Sequence, residues 1–166
     1  MTVIIRLGTP ADEAACNALA KRSPYTRDFA NPPLSLKAMR KVAFTEHQVY
    51  VAELDGKVVG FLWSRPMKPK HMAFCNAYYS AVDTAAVGGL GSVNRRFLMR
   101  ALEDSPFKAV EFVCEHGNAP THEYYTRAAE VARFFGRGTR LRAIKQGTVG
   151  KDARPYTRWR LDYEQE

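Results

Sequence analysis

Apolar and polar positions change period along the chain, and each change marks an element. Val3–Leu7 is a short β-type run. Thr9-Pro10-Ala11-Asp12 opens a helix, with Thr9 as N-cap, Pro10 at the first helical position and Asp12-Glu13 in the first turn. Ala15, Ala18 and Leu19 give that helix an apolar stripe, ending near Arg22-Ser23-Pro24. Residues 23–33 read as a loop rich in Pro, Tyr and Arg. Leu34–Phe44 reads as a second helix with Lys37, Arg40 and Lys41 on its basic face. Val49–Leu54 and Lys57–Trp63 are strands joined at Asp55-Gly56, a strong hairpin signal. A basic loop over 65–71 precedes a strand over Met72–Val82, and the cluster Gly88-Gly89-Leu90-Gly91 leads into a helix from Ser92. Val93, Phe97, Ala101 and Leu102 form that helix's apolar face. Ala109–Cys114 is a strand, and His116–Phe135 is helical in pattern after its opening Gly117-Asn118-Ala119-Pro120. Leu141–Lys145 and Tyr156–Tyr163 are the last strands. The order β-α-α-β-β-β-α-β-α-β-β predicts an α/β (α+β) fold: one mostly antiparallel seven-stranded sheet flanked by about four helices.

Length and composition narrow this picture. The chain has 166 residues, 46% of them hydrophobic, which suits one domain over residues 1–166. Its longest apolar runs are strand-length and the opening stretch lacks a signal-peptide pattern, so a cytoplasmic protein with no membrane span is expected. Cys16, Cys75 and Cys114 are odd in number, widely spaced and set among apolar neighbours, which favours reduced, buried thiols. Scattered His47, His71, His116 and His122 give no metal-ligand spacing, and no metal site is predicted. Lys plus Arg outnumber Asp plus Glu by 25 to 17, a net charge of +8. That excess points to nucleic acid, an anionic cofactor, or solubility.

The strand–glycine cluster–helix unit is the most specific local feature. Glycines let backbone N–H groups approach phosphate oxygens, and the helix start adds positive potential. Neither a Walker lysine nor the GxGxxG spacing accompanies it. Arg95, Arg96 and Arg100 lie just beyond.

Taken together, IIRLGTPADEAACNALA, VYVAELDGKVVGFLW and AVGGLG resemble the opening strand and helix, the second and third strands, and the pyrophosphate loop of the GNAT acyltransferase superfamily. In AVGGLG, Ala86 stands where that family carries Gln or Arg. Asn118 and Tyr125 resemble the family's N-x6-Y element. The resemblance implies splayed central strands, here Tyr78–Val82 and Val110–Cys114. It implies acetyl-CoA or a related acyl donor held by Val82, Gly88, Gly89, Gly91, Ser92 and Asn118. Tyr125 is implied as the proton donor to the leaving thiolate. Glu115 and Asp83, each just past one of those strands, are the candidate general bases.

Two segments bear on the acceptor. Tyr25 and Arg27 lie between the first two predicted helices, and Lys68 and Lys70 in the basic loop, with Tyr79 below. Aromatic and basic residues on one rim suit an extruded base stacked on a ring, with phosphates held by cations. In this the chain resembles most the Mom-type phage DNA-modification proteins, whose pyrophosphate loop is also degenerate. The resemblance implies a DNA-binding transferase that alters the exocyclic amine of adenine in phage DNA, protecting it from host restriction. The alternative is an acetyl-CoA-dependent N-acetyltransferase of a small amine, a protein or an aminoacyl-tRNA. A homodimer is compatible with either.

Overall fold

The computed structural model describes residues 2–22, 48–67, 75–87, 91–105, 108–136 and 138–164. The predicted loop over 23–33 and helix over Leu34–Phe44 lie outside them. The chain forms two compact units, Met1–Pro66 with Tyr78–Phe97, and Met67–Ala77 with Leu98–Glu166.

In the first unit, β1 (Ile4–Leu7), β2 (Gln48–Leu54) and β3 (Lys57–Met67) form an antiparallel ladder. The hairpin follows from Asp55 and Gly56, both at positive φ (50° and 77°), the backbone that a tight two-residue turn requires. Tyr50, Val51, Ala52, Phe61 and Leu62 are fully buried, so both faces of these strands are covered. β3 runs through Met67, four residues beyond its predicted end, because Ser64-Arg65-Pro66-Met67 continue the extended backbone.

A 3-10 turn (Pro10–Asp12) leads into α1 (Glu13–Arg22). Thr9 donates both its backbone N–H (2.8 Å) and its hydroxyl (3.3 Å) to the Asp12 carboxylate. Arg6 grips the same carboxylate with two nitrogens, at 2.8 and 2.9 Å, and also donates to Glu53 at 2.8 Å. The buried stripe is therefore Asp12, Cys16 and Leu19, whereas Ala18 of the expected stripe is exposed. Paired in this way an aspartate can face the core. Burial pushes the Cys16 thiol up to about 12, so it stays protonated.

β4 (Cys75–Val82) supplies residues to both units; its bounds leave residues 72–74 of the predicted strand outside the described set. α2 (Thr84–Val87) follows it, an unpredicted single turn, and α3 (Gly91–Asp104) buries Val93, Phe97, Leu98, Ala101 and Leu102, close to the expected face.

In the second unit β5 (Ala109–Glu115) pairs with β4 in parallel at Asn76↔Val110 and Ala77↔Glu111. On its other side it pairs antiparallel with β7 (Arg154–Tyr163), which pairs antiparallel with β6 (Thr139–Val149). The antiparallel pairings form two three-stranded ladders, β1-β2-β3 and β5-β7-β6, one per unit, and the seven strands follow the order β1-β2-β3-β4-β5-β7-β6 with β4 and β5 as the parallel pair. β6 and β7 are longer than their predicted cores, because the hairpin extends to a turn with Gly150 at φ 77° and Ala153 at φ 51°.

α4 (Ala119–Glu130) begins at Ala119, taking in the last two residues of the expected non-helical opening, and stops short of Phe135 because Val131 is extended. It packs through Tyr125, whose ring lies 4.6 Å from Phe112 and 6.1 Å from Trp159. Among the described residues no helix is long and apolar enough to cross a membrane. Cys16 and Cys114 are free and buried, as expected.

The Arg6–Asp12 pair generates a stability prediction. Asp12→Ala removes charged hydrogen bonds and strands Arg6, costing about 1–3 kcal/mol in urea unfolding. Hydrogen bonding from Arg6, followed by the Thr9 N–H, holds the Asp12 carboxyl below its ordinary 3.8. Its contribution is complete above the unfolded value and disappears as pH falls through the lower folded value. Acid titration of stability should therefore be flatter in Asp12→Asn than in the parent below about pH 4.

Candidate active site

Each unit carries one group of the candidate residues. In the first unit β4 ends at Val82, which is half-buried, and Asp83 follows. The Asp83 backbone N–H donates to the Val59 carbonyl at 2.7 Å, fixing the chain as it leaves the strand. Its carboxylate Oδ1 accepts from the Ala86 N–H at 3.1 Å, so Asp83 caps α2. This is a structural use of one candidate base. Gly91 and Ser92 are the first two residues of α3, while Gly88 and Gly89 lie outside the described residues. The basic face beyond is partly engaged locally. Arg96 donates to the Val3 carbonyl, and Arg100 pairs with Asp104 at 3.1 Å.

In the second unit the end of β5, a turn and the start of α4 bring four candidate groups into one stretch of backbone. Glu115 is the last residue of β5 and is buried, not exposed past the strand as its sequence position suggested. Its Oε1 accepts from Arg154 Nε at 2.5 Å, and Arg154 also donates to Asp152 at 2.6 Å. The Glu115 carbonyl accepts from the Asn118 N–H at 3.1 Å, closing the turn. Neighbouring Cys114 has its thiol pushed up to about 12, first by burial and then by the Glu115 charge. A protonated, buried thiol is a poor nucleophile.

Asn118 occupies the N-cap position of α4 without using its side chain as a cap. Its Oδ1 is buried and without a hydrogen-bond partner among the described residues. An orphaned buried carbonyl oxygen is costly, and a ligand N–H would satisfy it. Seven residues on, Tyr125 is buried among Phe112, Tyr124 and Trp159.

Between these positions His116 and His122 stack, ring centroids 4.1 Å apart and planes 27° from parallel. His116 Nε2 is 2.8 Å from the Thr157 hydroxyl, while His122 Nδ1 is buried with no partner among the described residues. Burial, then the proximity of His116, holds the His122 imidazole below its ordinary 6.5. In sequence these histidines are only scattered; their stacking follows from a turn whose geometry no periodicity shows. Of the predicted acceptor residues, Tyr25, Arg27, Lys68 and Lys70 lie outside the described residues. Tyr79 is on β4.

No protein-family model matches the chain, and no curated protein matches it in sequence. Solved structures match it over nearly its whole length. One is yncA of Salmonella typhimurium, a proposed acetyltransferase solved with its cofactor acetyl-CoA; its TM-score is 0.67 at 15% identity, covering 100% of this chain and 96% of that one. An aminoglycoside N(6')-acetyltransferase of Legionella pneumophila has a TM-score of 0.67 at 10% identity, covering 96% and 91%. A ribosomal-protein-alanine N-acetyltransferase of Brucella melitensis has a TM-score of 0.60 at 17% identity, covering 95% and 98%. The chain has the GNAT-like α/β fold.

The stacked imidazoles predict a distinct titration. His122 should titrate below 6.5 when followed by its ring-proton NMR signal, and His116→Ala should move it upward by relieving both burial and charge. Because the folded value is the lower one, the associated stability is present above about pH 6.5 and is lost as pH falls through the folded value.

Proposed function

We propose that the protein is an acyl-CoA-dependent N-acyltransferase of GNAT type. The observation that carries this reading is the whole-length likeness of its fold to N-acetyltransferases, one of them solved with acetyl-CoA. Those neighbours favour an amine of a small molecule or protein as acceptor over adenine in DNA. One feature of the chain supports the donor. The unpartnered Asn118 Oδ1 is what an amide N–H of a pantetheine arm requires.

In this reading the start of α3, Gly91 and Ser92, takes the phosphates with Gly88 and Gly89, and Val82 lines the donor at the end of β4. Asn118 takes the pantetheine amide. An acyl-CoA supplies an activated thioester carbonyl. Glu115 receives the proton that the acceptor amine loses as its nitrogen bonds to the acyl carbon, directly or through water. Tyr125 gives its hydroxyl proton to the sulfur as the C–S bond breaks. Asp83, engaged in capping α2, is the weaker candidate base. Cys114, protonated and buried, favours direct transfer over an acyl-cysteine route.

Two assays test the reading: calorimetric titration with acetyl-CoA, and thiol release across a panel of polyamines, aminoglycosides and peptide N-termini. Gly91→Asp sets a negative charge at the start of α3 and should weaken acetyl-CoA binding about tenfold or more, with the fold retained. Tyr125→Phe and Glu115→Gln should lower turnover by about 10²–10⁴ while acetyl-CoA affinity stays near the parent's. A parent protein that neither binds acetyl-CoA nor releases thiol with any amine overturns the proposal.

A further inference from the structure

β7 alternates strictly. Pro155, Thr157, Trp159 and Leu161 face α4, which contacts Trp159 through Tyr125, while Arg154, Tyr156, Arg158 and Arg160 face the other way. The register sets Arg142 of β6 opposite Arg160 and Lys145 opposite Arg158, on that second face. Like charges directly opposite in a sheet destabilise it. The Arg142–Arg160 row is relieved: Arg160 donates to Glu111 at 2.9 Å and to Asp162 at 2.8 Å, and Arg142 to Asp162 at 3.3 Å. The Lys145–Arg158 row has no such relief. No carboxylate among the described residues pairs with either cation, although Lys145 is exposed and Arg158 half-buried.

The adjacent row adds a ring. Tyr156 opposes Gly147, and a Cβ at Gly147 would meet the Tyr156 ring at 3.0–3.1 Å. The ring therefore lies across the glycine with one flank on the backbone. It is half-buried, with the Lys145–Arg158 row on one side and, on the other, Arg154, which pairs with Asp152 and with Glu115, the residue opposite Tyr156 on β5. An aromatic face between cations is the arrangement on which unpaired bases stack while their phosphates meet the charges. An acidic protein segment would use the cations and leave the ring without a partner.

We propose that the β6–β7 hairpin, on its face turned away from α4, binds single-stranded nucleic acid. Tyr156 is the stacking platform, and Lys145 and Arg158 are the phosphate contacts. The proposal uses none of the acceptor residues first expected at Tyr25, Arg27, Lys68 and Lys70, and it does not depend on acyl transfer.

The test is fluorescence anisotropy of the full chain with a labelled 20-mer of thymidine, titrated with salt, beside a duplex of equal length and heparin. The parent should bind the single strand more tightly than the duplex, with affinity falling linearly on a log–log salt plot. Lys145→Gln with Arg158→Gln should flatten that slope by about 1.4, or about 0.7 for each phosphate no longer neutralised. Tyr156→Leu keeps an apolar side chain over Gly147 but loses the π face. It should bind the 20-mer about 5- to 100-fold more weakly with heparin affinity unchanged, whereas Tyr156→Phe should bind like the parent. No binding of the 20-mer by the parent, an unchanged slope in the double variant, or parent-like affinity in Tyr156→Leu overturns the proposal. Equal loss of heparin and 20-mer by Tyr156→Leu, or a duplex preferred by the parent, also overturns it.

Discussion

The second unit is organised by two carboxylates that its sheet buries on one strand. Glu111 is 1% exposed and Glu115 7% exposed, both on the same face of β5. An unpaired carboxylate in that position would cost several kcal/mol or lose its charge. Arginine must therefore stand on β7 at the right register, and it does, at Arg160 for Glu111 and Arg154 for Glu115. Asp162 then joins Arg160, and Arg140 and Arg142 of β6 close on Asp162 at 3.0 and 3.3 Å. Burial alone would raise the Asp162 carboxyl, but the hydrogen bonds from Arg160 and Arg140 outweigh it and hold it low. On the opposite face, Phe112 and Trp159 pair under Tyr125. A slip of one residue would turn the arginines toward the aromatic ring layer and Trp159 toward the carboxylates. Charge on one face and rings on the other specify the same register.

This constraint also shapes the chemistry available at the end of β5. Glu115 sits where its carboxylate is buried, and Arg154 holds one oxygen in place. The pairing orients the group and leaves its other oxygen as the one through which the proposed acceptor amine could give up a proton. The guanidinium is itself shared with Asp152 in the β6–β7 turn. Position of the proposed base thus depends on a hairpin turn distant in sequence. The same strand end keeps the Cys114 thiol protonated, through burial and through the charge of Glu115 itself.

Much of the fold is legible in the sequence because it obeys local rules. Asp55-Gly56 announces its hairpin, Thr9-Pro10 its helix start, and Val93, Phe97, Ala101 and Leu102 the buried side of α3. What is not legible depends on partners far along the chain. The α1 stripe reads as Ala15, Ala18 and Leu19 because hydrophobic periodicity has no place for an aspartate; Asp12 faces the core only because Arg6 meets it. The non-helical opening Gly117-Asn118 is legible from its residues, but the Asn118 N–H bond to the Glu115 carbonyl that ties it to the strand end is not, nor is the extended Val131 that ends α4 before Phe135. Of the site, the sequence places Asn118, Tyr125 and Glu115 around one turn, but it shows neither the Arg154 pairing nor the His116–His122 stack. The alternation Arg154-x-Tyr156-x-Arg158-x-Arg160 is present in the sequence too. It reads as an ordinary strand when only its apolar half is used.

A net charge of +8 says nothing about where the surplus resides, and the pairings decide that. In the first unit Arg6 is engaged by Asp12 and Glu53. In the second, Arg140, Arg142 and Arg160 converge on Asp162, and Arg154 on Glu115 and Asp152. These cations are structural, fixed by the cost of buried carboxylates, and contribute little long-range field. Lys145 and Arg158 face each other with no described carboxylate to separate them, so they raise the local potential and strain the ladder at once. Sequences only 10–17% identical share this backbone, which packing can specify with many combinations of apolar residues. The charges on the outward face are under no such constraint. A costly pair there, beside a ring laid over glycine, is a feature that the fold does not require and that a polyanion would stabilise.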